Sequence, residues 1–252
     1  MSIKTNPVPQ VRGHYTAGHE WIPAGESTLE VYSPLDGSYL GGVPIATSSN
    51  IDQVVENANT AFKTWSATPL KERVQVLFRF KTLLERHHAE LADLIQAENG
   101  KTWTEAKAEI DKGIEVLEFA CALPQIWDQG LLEVSTGVSC QYERYPLGTV
   151  LSIVPFNFPA MVPMWTIPIA IGCGNTFILK PSELVPLTAV RLAELFTEAG
   201  LPPGVFNVVH GTRDTTEYLI DHPGITALSF VGSTKVARMV YQRAANLGKR
   251  AL

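Results

Sequence analysis

The sequence predicts an α/β protein. A Rossmann-like parallel sheet is preceded by a helical N-terminal region and carries one projecting β-hairpin. Three observations lead there. From residue 149 onward, short β-branched runs alternate with helical stretches closed by glycine, as expected of consecutive strand–helix units joined by right-handed crossovers. Between Asn50 and Cys121, apolar residues recur every three or four positions, the period of helices that bury one face. Residues 145–179, "YPLGTVLSIVPFNFPAMVPMWTIPIAIGCGNTFIL", contain no Asp, Glu, Lys, Arg or His. Strands buried on both faces have this composition.

Taken in order, residues 1–48 read as extended pieces and turns. Within them "EVYSPLDGSYLGGVP" alternates around Asp36-Gly37, a hairpin signal. Helix follows from Asn50. Leu70, Val74, Leu77, Phe80 and Leu84 form one stripe, and Asn99-Gly100 stops the next segment because glycine accepts the left-handed helix end. Trp103, Ala106, Ile110, Ile114, Leu117 and Cys121 form another. These stripes are core packing, with Cys121 a small buried hydrophobe. "VSCQYERYP" (138–146) alternates as a strand, solvent-facing on one side or awaiting a partner. Thr149–Val154 is then a strand, and Phe158–Ile171 is helical with proline entries. Thr176–Leu179 is a strand, followed by a helix bearing Leu187, Val190, Leu195 and Phe196 up to Gly200. Phe206–Val209 and Leu228–Val231 are further strands, and Gly232-Ser-Thr opens a helix through Leu247. "KRAL" begins a fifth strand.

The uncharged stretch is long enough for a membrane helix, which needs about 20 apolar residues. Pro155, Pro159, Pro163, Pro168 and Asn157 interrupt it, and each interior proline removes a backbone hydrogen bond that lipid cannot replace. It is expected to lie inside protein. A net charge of −5 with no Lys/Arg run longer than two shows no nucleic-acid footprint. Cys121, Cys140 and Cys173 are an odd, widely spaced set without metal-ligand spacing, which fits a reducing compartment. "MSIKTNPVPQ" has no apolar core and reads as no signal peptide. A cytosolic or organellar-matrix protein is expected, acting on a small molecule.

In a parallel sheet, ligands bind at the carboxyl ends of the strands. Those ends are Pro155-Phe156-Asn157, Lys180-Pro-Ser-Glu183, His210-Gly211 and Phe230 to Ser233. Glu183 can accept both hydroxyls of a ribose, and Lys180 can donate to the same sugar. Ser233, after Gly232, opens a helix whose free N–H groups favour a pyrophosphate. Asn157 supplies an amide donor in an uncharged wall, as an oxyanion site requires. Each piece alone is weak, and the G-x-G-x-x-G fingerprint is missing.

"VPFNFP", "GNTFILKPSE", "AGLPPGVFNVVHG" and "SFVGST", in this order, resemble the aldehyde dehydrogenase superfamily. The match covers nearly the whole chain from the hairpin near residue 30. "PFNFP" with "PMWTIPIAIGCGNTFILKPSE" is most similar to its CoA-acylating methylmalonate/malonate-semialdehyde dehydrogenase branch. The resemblance implies NAD-dependent oxidation of a semialdehyde through a cysteine thioester, with coenzyme A as co-substrate. Val154, Pro155 and Phe156 would be backbone and wall contacts for NAD. Lys180 and Glu183 would bind its adenosine ribose, with Leu184 alongside. Gly211, Phe230 and Val236 would flank the adenine, Gly232 and Ser233 would serve the pyrophosphate, and Asn157 would donate to the oxyanion. Residues 1–132 would form the N-terminal hairpin and helical part, and 133–147 the hairpin through which subunits join into a dimer or tetramer. Residues 148–252 would be the NAD-binding βα units.

Three positions depart from the pattern. Ala237 stands where the family has a second glycine after Gly232. Lys112 stands where this branch has a helix arginine, and lysine cannot clamp a carboxylate in a planar fork. The nucleophilic cysteine lies on a segment beyond these residues, so the chain reads as a cofactor half, with a catalytically inactive subunit or a non-acylating enzyme as the alternatives. Cys173 is no substitute, being at the wrong end of the sheet in an apolar setting.

Overall fold

The computed structural model describes residues 10–252; the N-terminal stretch read above as no signal peptide lies almost wholly outside them. Two very short strands, β1 (Gln10–Val11) and β2 (His14–Thr16), precede β3 (His19–Trp21). The expected hairpin is β4 (Thr28–Tyr32) against β5 (Tyr39–Pro44), with Gly37 in the left-handed region at the turn. Next come α1 (Ser48–Trp65), α2 (Leu70–Arg86), α3 (His88–Asn99), α4 (Trp103–Cys121) and the single turn α5 (Leu123–Ile126). Side chains define two of these starts. Thr47 and Asn50 make a reciprocal capping box on α1, and Thr102 and Glu105 make one on α4. Gly100, at φ 83°, ends α3 as the sequence anticipates.

The β-hairpin runs through β6 (Gly130–Ser135) and β7 (Val138–Tyr142), and all five residues of β7 are exposed. Neither side of β7 is covered by the described residues. The strand stops at Tyr142 rather than Pro146.

The βα series follows: β8 (Thr149–Ile153), α6 (Met161–Met164), α7 (Ile167–Gly172), β9 (Thr176–Lys180), α8 (Leu187–Glu198), β10 (Phe206–Val208), α9 (Arg213–Asp221), β11 (Ala227–Phe230), α10 (Thr234–Asn246) and β12 (Arg250–Ala251). One expectation fails here. The predicted helix over 158–171 is two short helices starting at Met161, because Pro163 and Pro168 each lack the N–H that would continue a single ladder. "KRAL" does enter a strand, parallel to β11.

The principal sheet has the order β12-β11-β8-β9-β10-β2-β3. The five strands from β12 to β10 are parallel, and the β2–β3 hairpin closes the far edge antiparallel. Strand side chains alternate between two cores. Phe177 and Leu179 of β9 enter the larger, built with α2, α3, α4 and α8, whereas Ile178 enters the smaller, built with α1, α9 and α10. In the larger core the rings of Phe80 and Phe196 stack with centroids 3.6 Å apart. Burial on both faces explains the long uncharged stretch, and among the described residues no helix is long and apolar enough to cross a membrane.

Candidate cofactor and oxyanion site

From β8 the chain lays β9 and then β10 outward on one side, then returns to place β11 on the other side of β8. That reversal is a topological switch point, where the loops leaving adjacent strands diverge and open a crevice. The register is tight to its rim: Ile153 pairs with Lys180 on one side and Phe230 on the other. The Val154 N–H donates to the Lys180 carbonyl at 3.2 Å, and the Val231 N–H to that of Ile153 at 3.1 Å. The predicted residues therefore arrive together from four neighbouring strands.

At the end of β9, the Lys180 ammonium donates to a Glu183 carboxylate oxygen at 3.1 Å. Lys180 is not the solvated lysine that a loop sequence suggests, for its side chain is 6% exposed against 45% for Glu183. Burial lowers the pKa of Lys180, with the Glu183 charge opposing. Glu183 is pushed up by its own burial and pulled down by Lys180 and hydrogen bonds, ending below the usual carboxylate value. The Glu183 side chain stays partly open to solvent.

Around it the walls are apolar and open, with Phe156, Leu184 and Val236 all exposed. Pro155 and Phe230 are half-buried. Val154 is packed into the larger core, so it brings backbone rather than side chain to the strand end. Gly211 follows β10 at φ 149°, and a Cβ there would fall 2.1 Å from the Thr215 hydroxyl. Only glycine lets the chain turn so close to α9. His210 itself turns inward, its Nε2 hydrogen-bonded to the Gly13 carbonyl at 3.0 Å and its ring stacked on His14. Burial holds its pKa well below the ordinary value, so it faces the site as neutral backbone.

Ser233 is the N-cap of α10, and its side chain makes no capping hydrogen bond. The intrahelical ladder starts with the Ala237 N–H donating to the Ser233 carbonyl, which leaves the N–H groups of 234–236 available to an anion. Gly232 lets the Phe230 ring lie 2.5 Å from where a Cβ would stand. Ala237 sits in a regular helix.

Asn157 lies in the loop after β8. It is exposed, and its side-chain amide has no hydrogen bond among the described residues. It caps nothing, since the helix beyond begins three residues after the expected Phe158. Its carbonyl accepts from Lys101 at 2.9 Å. Asn157 also lines a groove of about 520 Å³ with Lys101, Glu109 and Lys112.

Sequence reasoning missed two residues here, both glutamates. Glu98, at the end of α3, accepts from the N–H groups of Leu187 (2.7 Å) and Thr188 (2.9 Å) and from the Thr188 hydroxyl. Glu109, on α4, accepts from the N–H groups of Ala160 (2.7 Å) and Met161 (3.0 Å) and is paired with Lys101. Both are buried. Each is the partner of a helix start that lacks a local cap, and that shortage of local caps was the available signal.

None of the three cysteines is at the strand ends. Cys121 is buried on α4, with its thiol pushed up to about 11 by burial. Cys140 is on the exposed hairpin, and Cys173 follows α7 at the opposite end of the sheet, its thiol also raised by burial.

Comparison with known proteins bears on the fold and the family. The chain is 50% identical over 251 residues to malonate-semialdehyde dehydrogenase 1 of Geobacillus kaustophilus, covering 99% of this chain and 51% of that protein. Its fold superposes on a Sinorhizobium meliloti protein assigned as a methylmalonate-semialdehyde dehydrogenase and solved with NAD. There the TM-score is 0.94 at 40% identity, covering 97% of this chain and 50% of that one. The methylmalonate-semialdehyde dehydrogenase of Oceanimonas doudoroffii gives 0.93 at 39%, with 97% and 50% covered. The chain thus spans about half the length of the curated relatives it matches. The model of the aldehyde dehydrogenase family matches residues 21–252, and the chain belongs to that family.

Proposed function

We propose that this chain is the NAD-binding half of a semialdehyde dehydrogenase and supplies the oxyanion donor for its chemistry. One observation carries the reading. A single switch point carries a buried lysine paired with a half-exposed glutamate, a helix start with free N–H groups and an amide with no partner among the described residues. The fit to a dinucleotide is chemical: Glu183 offers acceptors for ribose hydroxyls, 234–236 offer donors for a diphosphate, and Phe156, Leu184 and Val236 offer apolar cover. NAD, when bound, supplies the hydride acceptor. Relatives named for malonate and methylmalonate semialdehyde support a carboxylate-bearing aldehyde. Lys112 lines the same groove as Asn157 and is held by Glu115 at 2.8 Å, so it would meet such a carboxylate as a point charge.

The residues then act as follows. Attack on the aldehyde carbon by a cysteine thiolate from outside these residues moves the carbonyl electron pair onto oxygen. The Asn157 amide donates to that oxygen as its charge develops. Glu183 disfavours a 2′-phosphate and selects NAD over NADP, since two unit charges about 4 Å apart repel by roughly 4 kcal/mol at an effective dielectric of about 20. Residues 148–252 serve as the cofactor domain, coenzyme A as the acyl acceptor, and the 133–147 region as the contact between like subunits. The uncovered residues of β7 support the last point.

The test is Asn157→Ala in the protein that joins this chain to a cysteine-bearing half. kcat should fall by roughly 10²–10³, the usual cost of one oxyanion donor, with NAD affinity unchanged. A normal single-turnover rate beside a lowered melting point would reduce Asn157 to a structural role.

A further inference from the structure

The loop between β8 and α6 has no regular structure, and Pro155 and Pro159 deprive it of two donors. Its remaining backbone groups need partners, and the α3–α4 corner supplies them. The Asn99 side chain donates to the Phe156 carbonyl at 2.8 Å. Lys101 donates to the Asn157 carbonyl at 2.9 Å while its ammonium sits 4.3 Å from the centre of the Phe158 ring. Glu109 binds Lys101 with one oxygen and accepts the Ala160 and Met161 N–H groups with the other. The Glu109 side chain is wholly buried and that of Lys101 is 11% exposed. Asn99, Lys101 and Glu109 are therefore directed at the loop backbone at 156, 157, 160 and 161, and none of them at the Asn157 side chain.

We propose that Glu109 and Lys101 are positioning residues for Asn157. They hold the loop by its backbone at 157, 160 and 161 and so fix where the free amide stands. This rests on the oxyanion reading of Asn157. A carboxylate able to accept from three donors at once is needed because two backbone N–H groups and an ammonium converge on it. Without it the loop keeps its sequence but loses its anchor. A misplacement of about 1 Å can cost on the order of 10²-fold in rate.

Glu109→Gln and Lys101→Met, with Asn157→Ala in parallel, test the inference in the full-length protein. In Glu109→Gln, hydrogen exchange at the Ala160 and Met161 amides should quicken by roughly tenfold or more as local opening becomes easier. kcat should fall by roughly 10- to 100-fold, with the dissociation constant for NAD unchanged. Combining Glu109→Gln with Asn157→Ala should add little beyond Asn157→Ala alone, because the two act as a unit. A normal kcat in Glu109→Gln, with Asn157→Ala slow, overturns the positioning role and leaves the oxyanion reading standing. A normal kcat in Asn157→Ala overturns that reading, and this inference falls with it. Should Glu109→Gln not fold, the same outcomes are read on Lys101→Met, which keeps both backbone acceptances of Glu109 and loses the contact to 157 together with the ion pair and the Phe158 ring contact.

Discussion

The loops leaving β8 and β9 are anchored alike, yet their anchors differ in charge balance. Each is caught by a buried glutamate from the α3–α4 pair that accepts two consecutive N–H groups at a helix start. Glu109 has a lysine against it. Glu98 has hydrogen bonds but no cation, and burial pushes its carboxyl up to about 7, the Thr188 and Leu187 donors opposing and the Glu109 charge adding to the rise. An uncompensated buried charge is costly, so such a group takes up a proton. The loop carrying Asn157 thus hangs on an ion pair, and the loop carrying Glu183 hangs on a carboxyl raised to about 7.

The largest test of this contrast is truncation. Glu98→Ala leaves the Leu187 and Thr188 N–H groups and a buried hydroxyl without partners, and should cost about 2–5 kcal/mol of stability. Chemical denaturation would show it. Lys101→Met should cost less than Glu98→Ala in the same experiment, and the reverse order would break the comparison.

Next in size is pH. Glu98 has a raised pKa in the folded chain, so the folded state binds the extra proton. Its contribution is fully present below about 4.5 and is lost as pH rises toward about 7. The loss amounts to no more than about 3–4 kcal/mol. Stability curves for wild type and Glu98→Gln should therefore converge or cross between those values, and parallel curves would show that Glu98 does not titrate there.

A smaller effect sharpens the same picture at Lys180. Because that side chain is buried, Lys180→Ala should weaken NAD and also lower the melting point, by about 1–3 kcal/mol of stability. Calorimetric titration beside a thermal melt separates the two, and a change in melting point alone would return Lys180 to a purely structural role. Smallest of all, Leu131→Ser on the uncovered hairpin should leave the stability of an isolated subunit within about 0.5 kcal/mol.

What the sequence disclosed follows from how far apart the interacting residues lie. The strands β8 to β11 were legible because burial on both faces writes itself as a local apolar run, and their ends named the site. Glu98 and Glu109 were not, since "QAENG" and "AKAEID" look like solvated helix surface. Their partners lie 90 and 51 residues further along. The strands β2 and β3 have three residues each, too few to show a period. The break between α6 and α7 was visible as prolines but was read as helix entry rather than as interruption.

The closure of the sheet by β2 also sets a timetable for synthesis. His14 receives a hydrogen bond from the N–H of His210, 196 residues later. A ribosome adding about 5–20 residues per second needs roughly 10–40 s to cover that distance. Throughout it the N-terminal hairpin has no place to dock. A segment made 196 residues earlier than its partner is thus secured late, and a nascent chain depends on chaperones or on its own brevity of strand to avoid pairing with a neighbour.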